Sequence, residues 1–131
     1  MSNQANVDVV TKIYEAFGQG DIPYILDQIH DDVRWVTHFD PVVPWGGDRS
    51  GKASVPSFFQ AINDSVDVLE FAPTEFVSDG GVVVSLGTFH CRVKATGKES
   101  KTQWVFIWKI RDGLVASYEQ FHDPKIADAF R

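Results

Sequence analysis

Cysteine occurs once in 131 residues, at Cys91, so no internal disulfide can form. A chain of this length buries roughly two-thirds of its unfolded surface and needs no such staple. No stretch approaches the roughly 18 consecutive apolar residues of a membrane span. Residues 1–6 are polar with no apolar run behind them, so neither a signal peptide nor a membrane partner is expected. With the lone cysteine, this points to a reducing cytoplasm. Positive charge is also scarce: twelve basic residues face eighteen acidic ones, a net charge of −6. An acidic surface repels a phosphate backbone, so no nucleic-acid partner is expected.

Metal-ligand and cofactor patterns are missing too. His30, His38, His90 and His122 show no paired spacing along a helix, and there is no cysteine cluster, so no metal is expected. Gly46-Gly47 and Gly80-Gly81 lack the further glycine and helix of a dinucleotide fingerprint, so no cofactor is expected. His90 precedes Cys91 directly, and adjacent strand residues face opposite ways. They cannot touch as a nucleophile and its base, and Cys91 reads as a small buried hydrophobe.

Aromatic residues, by contrast, are plentiful. Four Trp and ten Phe in a single short domain need a core, a pocket or an interface to hide in. Val7, Val10, Ile13, Tyr14 and Phe17 form one apolar stripe at helical spacing, ended by Gly18 and Gly20. Asp21 caps a second helix carrying Ile22, Ile25, Leu26 and Ile29, with Pro23 in its first turn. After Asp31 and Asp32, residues 33–37 read as a short strand and 39–51 as a loop rich in Gly and Pro. Ser54 and Pro56 open a third helix with the stripe Val55, Phe58, Phe59, Ile62 and Val66.

The period then changes to two. Strands are predicted over 68–77, with a bulge near Pro73, and over 82–93, 102–110 and 114–122. Asp79-Gly80-Gly81, Thr96-Gly97-Lys98 and Asp112-Gly113 supply the turns. A closing helical turn is expected over 125–131. Helices first and hairpins after argue an α+β fold with a mostly antiparallel sheet and one domain over 1–131. The run Trp104-Val105-Phe106-Ile107-Trp108 is apolar on both faces. It reads either as a strand buried centrally in one chain or as one whose outer face meets a second copy. A homodimer is the expectation drawn from it.

The succession of Tyr14-Glu15-Ala16-Phe17, Gly20-Asp21, Asp31-Asp32-Val33-Arg34-Trp35, Val43-Pro44-Trp45-Gly46-Gly47, Gly51-Lys52, Phe58-Phe59 and Trp108-Lys109-Ile110-Arg111-Asp112-Gly113 spans nearly the whole chain. In order and spacing it resembles the ketosteroid-isomerase-like, or nuclear transport factor 2-like, superfamily, and its SnoaL-like branch in particular. The resemblance implies a cone: a curved sheet of the cystatin-like kind wrapped around N-terminal helices, with a pocket open at one end. It implies that Trp104, Phe106 and Trp108 face that pocket, as do Tyr118, Gln120 and His122, joined by Trp35 and Thr37. It leaves the chemistry open, because the fold hosts isomerases, cyclases, hydrolases, dehydratases and binding modules.

Steroid isomerases of the superfamily use a carboxylate base, a Tyr donor and a protonated Asp donor; the last is a standard case of an acid kept neutral by apolar surroundings. The corresponding positions here are Thr37, the neighbourhood of Tyr14, and Phe106. Thr cannot act as a carboxylate and Phe donates no hydrogen bond, so that mechanism is disfavoured. His122 is the strongest substitute, because an imidazole beside a Tyr hydroxyl and an amide in an apolar cup can move a proton. A core His bonded to a backbone carbonyl is the alternative. His38 and Asp40 could swing over the pocket mouth, or be solvated loop residues. Tyr14 could aim its hydroxyl at the pocket, or pack as core with a polar tip. Two functional readings follow. One is a cofactor-independent enzyme moving a proton on a small apolar substrate, as in isomerisation, cyclisation or hydration. The other is a non-catalytic module that binds a hydrophobic ligand or another protein.

Overall fold

The computed structural model describes residues 3–131. Helix α1 (Asn3–Gln19) buries Val10, Ile13 and Tyr14 of the expected stripe, with Ala16 beside them, while Val7 and Phe17 are only partly buried. It ends where Gly20 takes a positive φ of 71°, a conformation open to a residue without Cβ. Helix α2 (Ile22–Asp27) starts at Asp21, whose carboxylate accepts the Tyr24 backbone N–H at 3.2 Å.

Strand β1 (Ile29–His38) begins earlier than the residue pattern predicts. Its pairing slips between Ile29 and Arg34, so Asp31 and Asp32 sit in an irregular stretch whose side chains reach solvent. The segment 39–51, expected to be a loop, is only partly one. Its last residues form strand β2 (Gly47–Ser50), antiparallel to β1 from Thr37↔Gly47 to Arg34↔Ser50. The strand escapes notice in the sequence because it is four residues long, polar and at the sheet edge, where no apolar alternation is needed.

A 3-10 turn at Lys52–Ser54 leads into α3 (Val55–Ser65), which buries Val55, Phe58, Phe59 and Ile62. Val66, assigned above to the helix stripe, is instead extended at φ −139° and opens the next strand. The remaining strands are β3 (Val66–Asp79), β4 (Val82–Val93), β5 (Glu99–Arg111) and β6 (Leu114–His122), followed by a 3-10 segment at Pro124–Phe130. Asp112 and Gly113 both have positive φ, 54° and 77°, as a tight mirror-image hairpin turn requires. In β3 the register shifts between Pro73 and Glu75, which suits a residue without an N–H on an edge strand.

The six strands form one curved, unclosed sheet in the order β2-β1-β6-β5-β4-β3. Every pairing is antiparallel except that of β1 with β6. Strict alternation on β4 buries Val83, Ser85, Phe89, Cys91 and Val93 on the helix side. On β5 it buries Thr102, Trp104, Phe106 and Trp108, and on β6 Tyr118 and Gln120. Burying one Phe-sized side chain contributes about 1.5–3 kcal/mol. The rings gathered on this face are therefore the main source of stability, and they also form the walls described next.

Candidate active site

The helices and the inner face of the sheet enclose a cavity whose wall includes Tyr14 from α1, Trp35 from β1, Trp104, Phe106 and Trp108 from β5, and Tyr118, Gln120 and His122 from β6. Trp45, Phe58, Phe59, Phe71 and Phe89 complete its aromatic lining. The cavity is small, about 50 Å³, which limits a ligand held in it to roughly a single ring.

On one side the rings stack. Phe71 lies parallel to Trp104 with centroids 5.0 Å apart, and Trp104 stacks on Phe106 at 3.9 Å. Gly87 makes this possible. A Cβ there would lie 2.3 Å from Cζ2 of Trp104 and 2.4 Å from the Ala72 carbonyl oxygen. On the other side Trp35 packs over Tyr118 at 4.2 Å. Trp108 meets both Trp35 and Tyr118.

Two polar groups of different character interrupt this wall. At one, the Tyr14 hydroxyl accepts the Trp108 indole N–H at 2.8 Å and shares a short hydrogen bond with the Ser85 hydroxyl. Burial pushes the Tyr14 hydroxyl's pKa well above the phenol range, although Ser85 and Trp108 act against the shift. The phenol therefore stays protonated. Burial likewise raises Tyr118 strongly, with Tyr14 adding to it.

At the other lies His122, placed by alternation beside Gln120 at the end of β6. Its Nε2 is 2.6 Å from the Thr102 hydroxyl, and its Nδ1 is 3.4 Å from the Gln120 amide nitrogen. With the amide donating, Nδ1 accepts and Nε2–H donates to Thr102. Burial holds the imidazole at about 4, against a weaker upward pull from Asp123. The ring is therefore neutral near pH 7, with a basicity close to that of an ordinary carboxylate. Phe39 and Phe89 flank it, at 5.2 and 5.9 Å. His122 also lines an outer groove with Thr37, His38, Phe39 and Asp40, so it stands at the mouth of the cavity.

Three buried polar atoms among the residues of the cavity wall have no protein partner: Gln120 Oε1, Trp35 Nε1 and Trp104 Nε1. Such atoms cost free energy unless something else pairs with them.

Not all of the residues singled out in the sequence meet here. Thr37 faces inward, but its hydroxyl donates to the carbonyls of Trp45 and Gly47 at 3.0 and 3.2 Å, pinning β2 to β1. His38 points to the outer face, bonded to Glu119 at 2.7 Å and stacked on Phe121. The Asp40 carboxylate accepts the Val42 backbone N–H and the Arg131 guanidinium at 2.8 Å, and these hold its pKa low. Cys91 faces the core and His90 the outside, where it meets Glu99 at 2.8 Å. Burial raises the Cys91 thiol to about 11, so it is inert as a nucleophile.

Ser85 and Thr102 were missed as partners, yet both were legible: each is a polar residue at an inward position of an alternating strand. Trp45 had no such signal, because it comes from an aperiodic loop. Its carbonyl accepts from Thr37 and from Arg49 at 3.1 Å, which straps the loop over the cavity.

Comparison with known proteins places this geometry. The chain aligns over its full length with an NTF2-like protein from Burkholderia xenovorans LB400, at 29% identity, TM-score 0.90 and 99% coverage of that chain. An NTF2-like protein of Burkholderia pseudomallei K96243 is 28% identical, with a TM-score of 0.81, over 94% of this chain and 92% of the other. TerC co-crystallised with polyporic acid is also 28% identical, with a TM-score of 0.81, over 91% of this chain and 92% of TerC. No protein of curated function matches. The SnoaL-like domain pattern matches residues 10–118, and the chain belongs to the SnoaL-like domain family.

Proposed function

We propose that the chain is a cofactor-independent enzyme that moves a proton on a small apolar substrate carrying a carbonyl, with His122 as the base. The observation that carries this reading is a neutral imidazole of carboxylate-like basicity at the mouth of an aromatic cavity. A ring nitrogen of His122 would take the proton from a carbon next to the carbonyl, leaving an enolate, and would return it to the same or a neighbouring carbon. Burial favours the uncharged form of the ring, so the base is free over the whole range above about pH 5. Thr102 would hold the ring through Nε2 and steady the imidazolium that forms transiently. Tyr14 stands with Ser85 and Trp108 and would serve as a neutral donor or as a wall. His38 and Asp40 stay in reserve at the outer groove. TerC, similar over 91% of this chain, was co-crystallised with polyporic acid, which supports a ligand-holding role for the fold.

Acetophenone in D2O tests this directly, because its methyl protons exchange only through the enolate. Wild-type protein should replace them with deuterium faster than buffer, as read by proton NMR. His122→Ala should lose at least about a hundredfold of that rate with its circular dichroism unchanged. If the wild type exchanges no faster than buffer while still binding acetophenone, the cavity belongs to a binding module. That second reading draws on the lining itself, which holds no carboxylate among the described residues.

We also read the outer sheet face as the seat of a second copy. Val105 and Ile107 of β5 are only half-buried there, and Phe121 of β6 is 42% exposed. A monomer mass by sedimentation equilibrium would refute this. The lone buried Cys91 suits a reducing cytoplasm, and fractionation that finds the protein elsewhere would refute that assignment.

A further inference from the structure

Four aromatic rings close one end of the cavity. Phe39 meets Trp45 at 5.7 Å, Trp45 meets Phe89 at 6.4 Å, Phe89 meets His122 at 5.9 Å, and His122 meets Phe39 at 5.2 Å. The circle is complete, but its members stand in different places. Trp45, Phe89 and His122 line the cavity, whereas Phe39 lines the outer groove. His122 borders both spaces. Phe39 therefore covers the other three from outside, where the groove would otherwise run into the cavity.

The four also differ in what holds them. Phe89 and His122 belong to β4 and β6, and the His122 ring is bonded to Thr102. Trp45 is tied through its carbonyl to Thr37 and Arg49, and Phe130 packs against its indole at 5.7 Å. Phe39 follows the last residue of β1, is only partly buried, and carries no polar atom in its side chain to anchor it. Its chain neighbours are fixed: Thr37 by the two carbonyls, Asp40 by Arg131 and the Val42 N–H. Gly46 makes room for it, since a Cβ there would lie 3.1 Å from the Phe39 Cβ.

Resting on the reading of the cavity as a ligand site, we propose that Phe39 is the residue that sets ligand length. Its ring is the partition between cavity and groove, so a ligand seated among the tryptophans ends at a single ring. A smaller side chain at this position would join the two spaces and let a second ring extend past His122 towards Pro124 and Ile126.

Two measurements test this. All four tryptophans of the chain line the cavity and are only 1–2% exposed, so their fluorescence reports on access to it. Acrylamide is a neutral quencher that must touch an indole. Trp45 is first changed to Phe in every protein compared, because it borders Phe39 directly. Phe39→Ala should then raise the quenching constant by about fivefold. Phe39→Leu, which keeps more of the side chain, should raise it less, and stands in if the Ala protein does not fold. Labelling of Cys91, buried on β4, by a thiol reagent shows whether the whole fold has loosened, and should keep its original rate. Quenching that does not rise, or that rises only in step with Cys91 labelling, overturns the proposal.

Calorimetry with acetophenone and the two-ring 2-acetonaphthone reads length directly. The wild type should favour acetophenone, and Phe39→Ala should shift the preference towards 2-acetonaphthone by at least about tenfold. An unchanged preference, or failure of both probes to bind either protein, also overturns the proposal. Deuterium exchange by the wild type with unchanged quenching sinks this inference alone. Raised quenching and a shifted preference without exchange sink the enzyme reading alone.

Discussion

The cavity wall contains two polar clusters built from the same materials, and they are finished differently. Tyr14, Ser85 and Trp108 form a closed set: the indole N–H and both hydroxyls find each other across α1, β4 and β5. Gln120, His122, Trp35 and Trp104 form an open set, in which one amide oxygen and two indole N–H groups find nothing. Trp108 and Trp104 sit four residues apart on one face of one strand, equally buried, yet only the first has a partner. The difference lies in what faces each of them. A hydroxyl from α1 reaches Trp108, while Trp104 faces the stacked rings of Phe71 and Phe106. A satisfied buried network rigidifies a core, whereas unpaired groups are tolerated where a ligand supplies the partner. The closed cluster is therefore read as scaffold and the open one as site.

The largest effect that tests this contrast concerns protons. His122 is held at about 4 in the folded protein, against 6.5 when unfolded. Between these values the unfolded chain binds a proton that the folded one refuses. Stability is therefore complete above about pH 6.5 and declines as the pH falls towards 4. The gap corresponds to about 3 kcal/mol. The stability that Asp40 and Glu99 lend through their lowered pKa values is lost as the pH falls through the ordinary carboxylate range and below it, in wild type and variant alike. Urea unfolding at pH 7, 5.5 and 4.5 should show the decline in the wild type and a much flatter profile in His122→Gln. Equal slopes in the two proteins would mean that His122 is not the buried neutral base described here.

Next in size is the closed cluster. Tyr14→Phe keeps the ring and its contacts with Phe71, Trp104 and Phe106. It strands the Trp108 N–H and the Ser85 hydroxyl in the core. A loss of about 2 kcal/mol in urea unfolding is expected. Adding Ser85→Ala to Tyr14→Phe should cost less than the sum of the two single changes, since one of the stranded groups is removed. Strict additivity would show that the hydroxyls do not act as a pair.

The sequence made much of this legible, for identifiable reasons. Alternation in β5 and β6 placed Trp104, Phe106, Trp108, Tyr118, Gln120 and His122 on one face, because a strand's period of two leaves no other choice. The same rule separated His90 from Cys91. It gave no information on β2, whose four residues lack a periodic apolar signal, or on Trp45, which reaches the cavity from a loop. It also could not show that Thr37 is occupied by two backbone carbonyls, or that Asp40 is tied to Arg131 at the far end of the chain. Those are long-range partnerships, and spacing in sequence does not encode them. His38 shows the limit from the other side: it follows Thr37 directly, so by alternation it had to face away from the cavity, and it does.

The smallest effect is the most discriminating, because its sign is opposite to that of Tyr14→Phe. Gln120→Met replaces a buried amide by an unbranched thioether of similar length that demands no hydrogen bond. The amide's contact with His122 Nδ1 is long, at 3.4 Å, and its oxygen has no partner to lose. Removing it should leave stability within about 0.5 kcal/mol of wild type, or raise it slightly, because an unpaired buried acceptor disappears. Urea unfolding of the ligand-free protein measures this. A loss as large as that of Tyr14→Phe would mean that an ordered water already completes the amide, and that the second cluster is as closed as the first. A neutral or stabilising result would mean that the fold gains nothing from the amide oxygen, so its place in the cavity wall is explained by a ligand rather than by stability.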